Sequence, residues 1–180
     1  TPEELPSVRE AELRCACRAL GVTPPRILDY EDGSLRDVSE ADGMGHVLDA
    51  VHQVHPQAMI TWPHHGLSGH PDHVAVSRWT QLAFQAARAL GSETPLALYH
   101  MVVPQSIADT LGFSRLHATP DEKVSLTVDV TAAWEQKLDA IRCHRTQAGE
   151  SPILDAPHDR QRLFLGTEHF QQAADRDERD

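Results

Sequence analysis

The amino-acid sequence predicts an α/β fold of the Rossmann-like, doubly wound type, with a mostly parallel sheet in a three-layer arrangement. Three observations predict it: helical and strand-like segments alternate, one apolar segment is continuous enough for burial on both faces of a sheet, and the connections are of ordinary length. The 180 residues are 40% hydrophobic, which is enough for one core. We therefore expect a single domain over residues 1–172 and a charged tail over residues 173–180.

The chain begins with a predicted helix, strand and second helix. Apolar residues recur at helical spacing from Leu13 to Leu20, and Gly21 follows as a glycine stop. The segment RILDY, residues 26–30, is typical of a short strand closed by the turn EDGS. A glycine-containing helix is expected over about residues 39–54.

The later elements continue the alternation. Helical spacing runs from Pro71 to Leu90, where Gly91 ends the pattern. The other predicted elements, in chain order, are a buried strand AMITW (58–62), an apolar strand PLALYHMVV (95–103), a strand KVSLTVDV (123–130) with one wet face, and a helix TAAWEQKLDAIRCHRTQ (131–147).

Composition excludes several classes of partner. The 16 Lys and Arg against 27 Asp and Glu give a net charge of −11, which repels a phosphate backbone, so we expect no nucleic-acid partner. No apolar run approaches the roughly 20 residues that span a bilayer, and no signal peptide is visible. Homo-oligomerisation stays open.

The cysteines are Cys15, Cys17 and Cys143, an odd number. Because Cys15 and Cys17 lie two apart in a helical pattern, their side chains do not share a face. We interpret all three as small buried hydrophobic residues in a reducing compartment, and we expect a cytoplasmic protein.

The stretch HHGLSGHPDHVAV, residues 64–76, gathers four histidines between a predicted strand and a predicted helix. In a doubly wound sheet, ligands bind beyond the carboxyl ends of strands, where such loops lie. Pro71 suits the first helical turn, so His70 falls at the cap and His73 within the first turn, on the same side of the helix. Neutral imidazoles can bind zinc, and Asp72 between them could fix a ring tautomer. A histidine-rich surface loop is the alternative.

The sequence around this histidine pair resembles that of a known family. The chain resembles the LmbE-like (PIG-L) family of zinc-dependent N-acetylglucosaminyl deacetylases in four segments. In chain order they are VREAELRCACRALGV, LDYEDGSL, GHPDHVAV after a strand, and KLDAIRCHRTQ. The resemblance extends from about Arg9 to the TEHF near residue 170, and GHPDH is its most specific part. It implies a Zn²⁺ cofactor, or another divalent transition metal, and a small-molecule glycoconjugate substrate.

The resemblance implies roles for individual residues of the histidine motif. His73 would be a metal ligand. His70 would stabilise the oxyanion of a tetrahedral intermediate or pass a proton to the departing amine, and Asp72 would orient a histidine. These three residues form the expected catalytic and metal-binding group.

Further residues match the family outside this motif. Arg9, which opens the R-x-x-E pattern completed by Glu12, and Asp32 in the DG turn would contact substrate. His144 and Gln147 match a late H-x-[ST]-Q signature, for which we expect a structural role. The plain alternatives are a solvated helix charge for Arg9, a turn former for Asp32 and a satisfied helix histidine for His144.

Three other histidines receive plainer interpretations. His64 and His65 lie in a stretch that the family leaves variable, so we interpret them as loop residues. His100 lies in an apolar strand, and we expect it to be buried and hydrogen-bonded.

One family element has no match here. The family begins with a strand ending in A-H-P-D-D-E, which supplies a histidine and an aspartate to zinc and a second aspartate as base. VHPQAM, residues 54–59, and PHDR, residues 157–160, do not reproduce it. We expect that the N-terminal strand and first metal motif lie outside the 180 residues; a degenerate member without catalytic chemistry is the alternative.

The sequence therefore predicts a zinc-dependent hydrolase that removes an acetyl group from an N-acetylglucosamine-containing conjugate. Two alternatives stay open. One is a metal-free, catalytically inactive sugar-binding or scaffold protein of the same fold, and the other is an amidase that acts on a thiol conjugate.

Overall fold

The computed structural model describes residues 4–149 and 153–175. The chain divides into two compact units. Unit 1 comprises the N-terminal segment up to Asp29 together with Asp129–Glu168, and unit 2 comprises Tyr30–Val128 together with the segment from His169. The single domain over residues 1–172 stays a prediction.

The described part of the chain contains eight α-helices, three short 3₁₀ helices and four strands. The helices are α1 Leu5–Leu20, α2 Glu40–Val54, α3 Gly66–Gly69, α4 Pro71–Ala89, α5 Gln105–Leu111, α6 Trp134–Cys143, α7 Arg145–Ala148 and α8 His158–Leu165. The strands are β1 Ala58–Thr61, β2 Ala97–Met101, β3 Leu126–Asp129 and β4 Thr167–Asp175.

The strands form one sheet in the order β1-β2-β4-β3. β1 pairs with β2 in parallel, with Thr61 opposite His100, whereas β2 pairs with β4 in antiparallel fashion, with Met101 opposite Phe170. The predicted α/β class is confirmed. The sheet is mixed, however, because β4, which was not predicted as a strand, lies antiparallel beside β2.

The core of unit 2 forms where α4 packs against α2 and β1. Phe84 and Ala83 of α4 and Leu98 of β2 are fully buried. A Cβ atom on Gly43 of α2 would lie 2.1 Å from the Trp79 ring. This glycine therefore permits the close approach of α2 to α4, although glycine weakens an isolated helix.

The strands are less buried than the sequence predicts. In β1 only Thr61 is buried, and Ile60 is 61% exposed, because β1 lies at the edge of the sheet. In β2 buried and half-buried residues alternate, and β3 is exposed along its whole length. RILDY, residues 26–30, is not a strand and forms no regular structure. The predictions of a buried β1, a β2 buried on both faces, a half-buried β3 and a strand at 26–30 were wrong.

The helix predictions agree better with the structure. Gly21 ends α1 with a φ of 68°, and the Ser39 hydroxyl caps α2 by accepting from the Asp42 amide. The predicted helix over 131–147 is interrupted at His144, whose ψ of 58° separates α6 from α7. Of the predicted tail, residues 173–175 belong to β4 and residues 176–180 lie outside the described residues.

In unit 1, α1 packs against α6, and a disulfide joins Cys15 to Cys143 with a Cα–Cα distance of 5.7 Å. The prediction of three free cysteines was wrong for this pair, because helix packing brings together residues that are 128 positions apart. Cys17, on another face of α1, is free. The prediction of a reducing compartment was based on three free thiols, and it therefore loses its basis.

Across residues 4–149 and 153–175, none of the helices combines the length and apolar character needed to cross a bilayer.

Candidate active site

The candidate active site lies at the junction between α3 and α4, after the carboxyl end of β1. His70 is the N-cap of α4, and its Nδ1 accepts a hydrogen bond from the Asp72 amide at 3.2 Å. Pro71 follows at the first helical position, where its missing N–H group costs nothing. Because Nδ1 accepts, a neutral His70 ring carries its proton on Nε2. His70 therefore offers an N–H donor at Nε2.

His73 has the opposite arrangement. Its Nδ1 lies 3.1 Å from the carbonyl oxygen of Gly66. A carbonyl can only accept, so in the neutral ring Nδ1 carries the proton and Nε2 keeps its lone pair. The ring stacks on Trp62, with 4.1 Å between ring centroids and 5° between the planes. These contacts hold His73 as a ring with a lone pair at Nε2.

Gly66 has a structural reason to be glycine. Its φ is +68°, and a Cβ atom there would lie 3.0 Å from the Cβ of His73. A side chain would therefore disturb the carbonyl that fixes His73.

The two rings lie next to each other. Their centroids are 4.9 Å apart and their planes are inclined by 36°. The spacing of three residues predicted that both would lie on one side of the helix, and the structure brings them together. The pair presents one N–H donor and one nitrogen lone pair.

Asp72 is buried, with 9% of its surface exposed. Its Oδ2 accepts from the Gly33 amide at 2.7 Å and its Oδ1 from the Leu35 amide at 3.1 Å. The carboxylate therefore contacts main chain, whereas the sequence predicted that it orients a histidine. Asp72 does hold His70, but through its own backbone amide.

These contacts bring the DG turn to the start of α4. Asp32 lies exposed in the turn from Glu31 to Ser34, where the Ser34 amide donates to the Glu31 carbonyl at 3.1 Å. Gly33, the next residue, has a φ of +86°, which glycine adopts readily. The structure thus joins the turn that carries Asp32 to Asp72, between His70 and His73 in the chain, and the substrate contact of Asp32 stays a prediction.

Arg9 is half-buried on α1 of unit 1. Nearby, the Glu12 carboxylate accepts from the Thr146 amide at 2.8 Å and from its hydroxyl at 2.7 Å. The Thr146 hydroxyl bond and then its amide bond lower the pKa of Glu12, against the opposing effect of burial. The R-x-x-E and H-x-[ST]-Q segments therefore contact each other within unit 1. The role predicted for Arg9 stays a prediction.

A second group of histidines was not predicted as a cluster. The ring centroid of His65 lies 4.8 Å from that of His64 and 4.9 Å from that of His117. Burial, and then His64 and His65, lower the pKa of His100. His100 is buried as predicted, but its Nε2 makes no hydrogen bond within the described residues, so that part of the prediction was wrong. The adjacent pair at 64 and 65 was the only sequence signal.

The residues present fit a metal in one respect. His73 has the tautomer that a metal ligand needs, with its other nitrogen bound to a backbone carbonyl, as is usual around metal-binding histidines. Within residues 4–149 and 153–175, no group of three or more His, Cys, Asp or Glu side chains could hold a metal ion. These residues therefore supply one ligand of the roughly three that catalytic zinc takes.

Comparison with known proteins supports the family resemblance. The family model described as PIG-L, GlcNAc-PI de-N-acetylase, matches residues 1–84. A 1D-myo-inositol 2-acetamido-2-deoxy-alpha-D-glucopyranoside deacetylase of Salinispora arenicola is 28% identical over 84% of this chain and 60% of its own length. The chain spans about 60% to 70% of the length of such curated relatives.

Solved structures share the fold. The conserved protein TT1542 from Thermus thermophilus superposes with a TM-score of 0.64 and 23% identity, covering 94% of this chain and 74% of that protein. The 4-carboxy-2-hydroxymuconate hydratase GalB from Pseudomonas putida has the same TM-score at 18% identity, covering 100% of this chain and 77% of that one. Because a named hydratase shares the fold, the fold alone does not identify the reaction.

Proposed function

Since the PIG-L family model matches residues 1–84 and curated deacetylases are similar over most of the chain, we propose that the chain is a PIG-L (LmbE-like) protein and a metal-dependent N-deacetylase that hydrolyses the acetamide of an N-acetylglucosamine unit in a small-molecule conjugate. The relatives support this proposal through their names, which describe deacetylases of such conjugates. The observation that carries it is the pair of complementary tautomers at His70 and His73.

Each ring suits one task in amide hydrolysis. His73 would hold the metal through Nε2, because its Nδ1 proton is committed to the Gly66 carbonyl. Zinc, the metal we propose, would when bound polarise the acetamide carbonyl and lower the pKa of a water molecule. Trp62 keeps the His73 ring in one orientation.

His70 would act on the substrate. Its Nε2–H group can donate a hydrogen bond to the carbonyl oxygen as that oxygen gains negative charge. Because the Asp72 amide fixes the ring from the other side, the donor does not need to reorient during the reaction. Because Nδ1 accepts the Asp72 amide and carries no proton, loss of the Nε2 proton would leave an imidazolate, so the neutral ring suits the role of oxyanion donor and not that of acid to the departing amine.

Asp32 and Arg9 are the proposed substrate contacts. The carboxylate of Asp32 is an acceptor for sugar hydroxyls, and Asp72 fixes its turn through Gly33. Arg9 would contact the sugar or its aglycone with guanidinium N–H groups. An Asp72→Asn substitution should therefore raise KM as well as lower stability.

The tautomers can be measured without any activity. Two-bond ¹⁵N–¹H correlation spectra of the histidine-labelled chain should show a protonated Nε2 for His70 and a protonated Nδ1 for His73 near pH 8. The His73→Gln variant assigns the His73 signals by their loss. Addition of zinc should shift the assigned His73 Nε2 signal in the wild type and equally in the loop control His64→Gln. A protonated Nε2 on His73 would contradict the proposal.

Activity is tested by release of a free amine from an N-acetylglucosaminyl-inositol conjugate. In a protein that includes the remaining metal ligands, we expect turnover with metal, and a fall in kcat of about 10²–10³-fold in His70→Ala, since that is the usual cost of losing one oxyanion donor. A metal-loaded chain that binds the conjugate without turnover would overturn the deacetylase proposal and favour a saccharide-binding role.

A further inference from the structure

Unit 1 contains an open cavity of about 410 Å³ beside the start of α6 and one face of α8. Its lining includes Thr131, Trp134, Glu135, Gln136, His158 and Arg162. All belong to unit 1, so this cavity is formed without any residue of the histidine site. Its volume is within the range of small-molecule sites.

The cavity has an aromatic wall held by two neighbours. The half-buried Trp134 contacts the His158 ring edge to face, with centroids 5.8 Å apart. The Arg162 guanidinium carbon lies 6.0 Å from the centroid of the same indole. An indole flanked by N–H donors presents an apolar surface with polar groups around it.

The polar groups of the lining are available to a ligand. Within the described part of the chain, the side chains of Glu135 and Gln136 make no hydrogen bond. Gln136 can both donate and accept, Glu135 accepts, and Arg162 donates. The cavity therefore offers donors and acceptors together.

The charge of Arg162 is locally balanced. Asp129 accepts from the hydroxyl of Thr131 at 2.6 Å and from its amide at 2.8 Å. These bonds, with a smaller effect of Arg162, lower the pKa of Asp129. Asp129 and Glu135 thus oppose the single arginine, so the cavity is not a cationic site for phosphate.

The end of α8, which carries Arg162, is closely packed. Gly166 ends α8, and its amide and carbonyl bond to the Arg162 carbonyl and the Val130 amide, both at 3.0 Å. A Cβ on Gly166 would lie 2.5 Å from the Arg162 carbonyl oxygen. The backbone next to Arg162 is therefore closely packed at the end of α8.

From this combination of an indole, mixed hydrogen-bonding groups and balanced charge, we propose that the cavity is a saccharide-binding site. A pyranose ring combines an apolar face, which packs against Trp134, with equatorial hydroxyls, which bond to Gln136, Glu135 and Arg162. The ligand is an uncharged sugar. The proposal does not depend on the proposed deacetylase activity.

The three tryptophans of the chain provide separate reporters. Trp134 reports on this cavity, Trp62 on the histidine site, and Trp79, 3% exposed, on the core. The full chain is labelled with 5-fluorotryptophan, and single Trp→Phe variants assign the three ¹⁹F signals. N-acetylglucosamine, glucose and inorganic phosphate are then titrated separately.

The expected result is a saturable shift of the Trp134 signal with each sugar and none with phosphate, while Trp79 stays unchanged. Arg162→Ala and Gln136→Ala should each weaken that binding about tenfold, as loss of one hydrogen bond to a ligand commonly does. Arg142→Ala is the control, because Arg142 lies on α6, pairs with Asp139 and does not line the cavity. It should bind as wild type.

Other outcomes overturn the proposal. A shift of Trp134 with phosphate alone would identify an anion site, and a shift of Trp62 alone would confine sugar binding to the histidine site. Equal binding by Arg162→Ala and wild type would also refute it. Failure of the deacetylase proposal gives a different pattern, with sugar binding at Trp134 but no release of amine.

Discussion

An Asp72→Asn substitution separates two roles of one buried carboxylate. In the structure both oxygens accept backbone amides, from Gly33 at 2.7 Å and from Leu35 at 3.1 Å. Asparagine keeps the shape and one acceptor oxygen. Its NH₂ group, however, must face the second amide, so one N–H donor loses its acceptor and the remaining bond loses its charge.

The expected cost follows from these two bonds. A hydrogen bond to a charged group contributes about 1.5–3 kcal/mol, and a buried donor without an acceptor costs about 1–3 kcal/mol. Since one oxygen remains, we expect the free energy of unfolding to fall by about 2–4 kcal/mol. With a urea m-value of about 2 kcal/mol/M, the middle of the usual range, the urea midpoint should fall by roughly 1–2 M.

Two measurements on the same samples check this reasoning. Urea unfolding gives the stability, and amide hydrogen exchange gives the protection of Gly33 and Leu35, which should drop selectively. Asp37→Asn is the matched control, because it removes the same charge from the same segment where the side chain is 77% exposed. The control should stay within about 0.5 kcal/mol of wild type.

The contrary result is also specific. If Asp72→Asn unfolds at the wild-type urea concentration and keeps both amides protected, the carboxylate does not anchor the DG turn. If the ring signals of His70 and His73 shift at the same time, the carboxylate acts on a histidine, as the sequence predicted.

Three further predictions concern packing and pH. Gly43→Ala should lower the free energy of unfolding by about 3 kcal/mol, because the added Cβ clashes with Trp79. Gly45→Ala is the control in the same helix. It has open space around it and should raise the free energy of unfolding, measured in urea, by about 0.5–1 kcal/mol. Because the pKa of Glu12 is lowered in the fold, its stabilisation is present above the ordinary glutamate pKa and is lost as pH falls through the folded value. Acid titration of the urea midpoint should show a flatter response for Thr146→Val and a wild-type response for Thr146→Ser; an unchanged slope in the valine variant would contradict this. The pKa of His100 is also lowered in the fold, so the free energy of unfolding is higher above a pH of about 6.5 and falls on acidification. His100→Gln should therefore flatten the plot of unfolding free energy against pH between about pH 7.5 and 5.5. An equally steep plot for this variant would exclude His100 as the source of the pH dependence.

The helices could be predicted from sequence because their signals are local. Ser39 and Pro71 indicate where helices start, and Gly21 indicates where one ends. Each boundary therefore depends on residues within one helical turn of it. The strands were harder to predict, because the burial of a strand depends on the elements that pack against it. β4, with the polar sequence TEHFQQAAD, has no regular apolar alternation, and its pairing with β2 and β3 makes it a strand.

The candidate site was predictable in its residue types but not in its contacts. The spacing of His70 and His73 follows from helix geometry alone. The bond from Gly33 to Asp72 spans 39 residues, and no local pattern indicates it. The disulfide between Cys15 and Cys143 has the same character, since only the packing of α1 on α6 brings the two thiols together.

The different tautomers of the two catalytic candidates have one physical origin, the main chain around the α3–α4 junction. His70 meets an amide donor and His73 meets a carbonyl acceptor, so opposite backbone groups impose opposite proton positions. A Gly66→Ala change should therefore disturb the His73 ring and not the His70 ring. Its Cβ would lie 3.0 Å from the His73 Cβ and 3.1 Å from the Val74 amide nitrogen, and its φ of +68° is unfavourable for alanine. In two-bond ¹⁵N–¹H spectra we expect His73 to show a mixture of tautomers while His70 keeps its Nε2 proton. If both rings change together, or neither changes, side-chain contacts such as the stacking of Trp62 control the proton positions instead of the backbone.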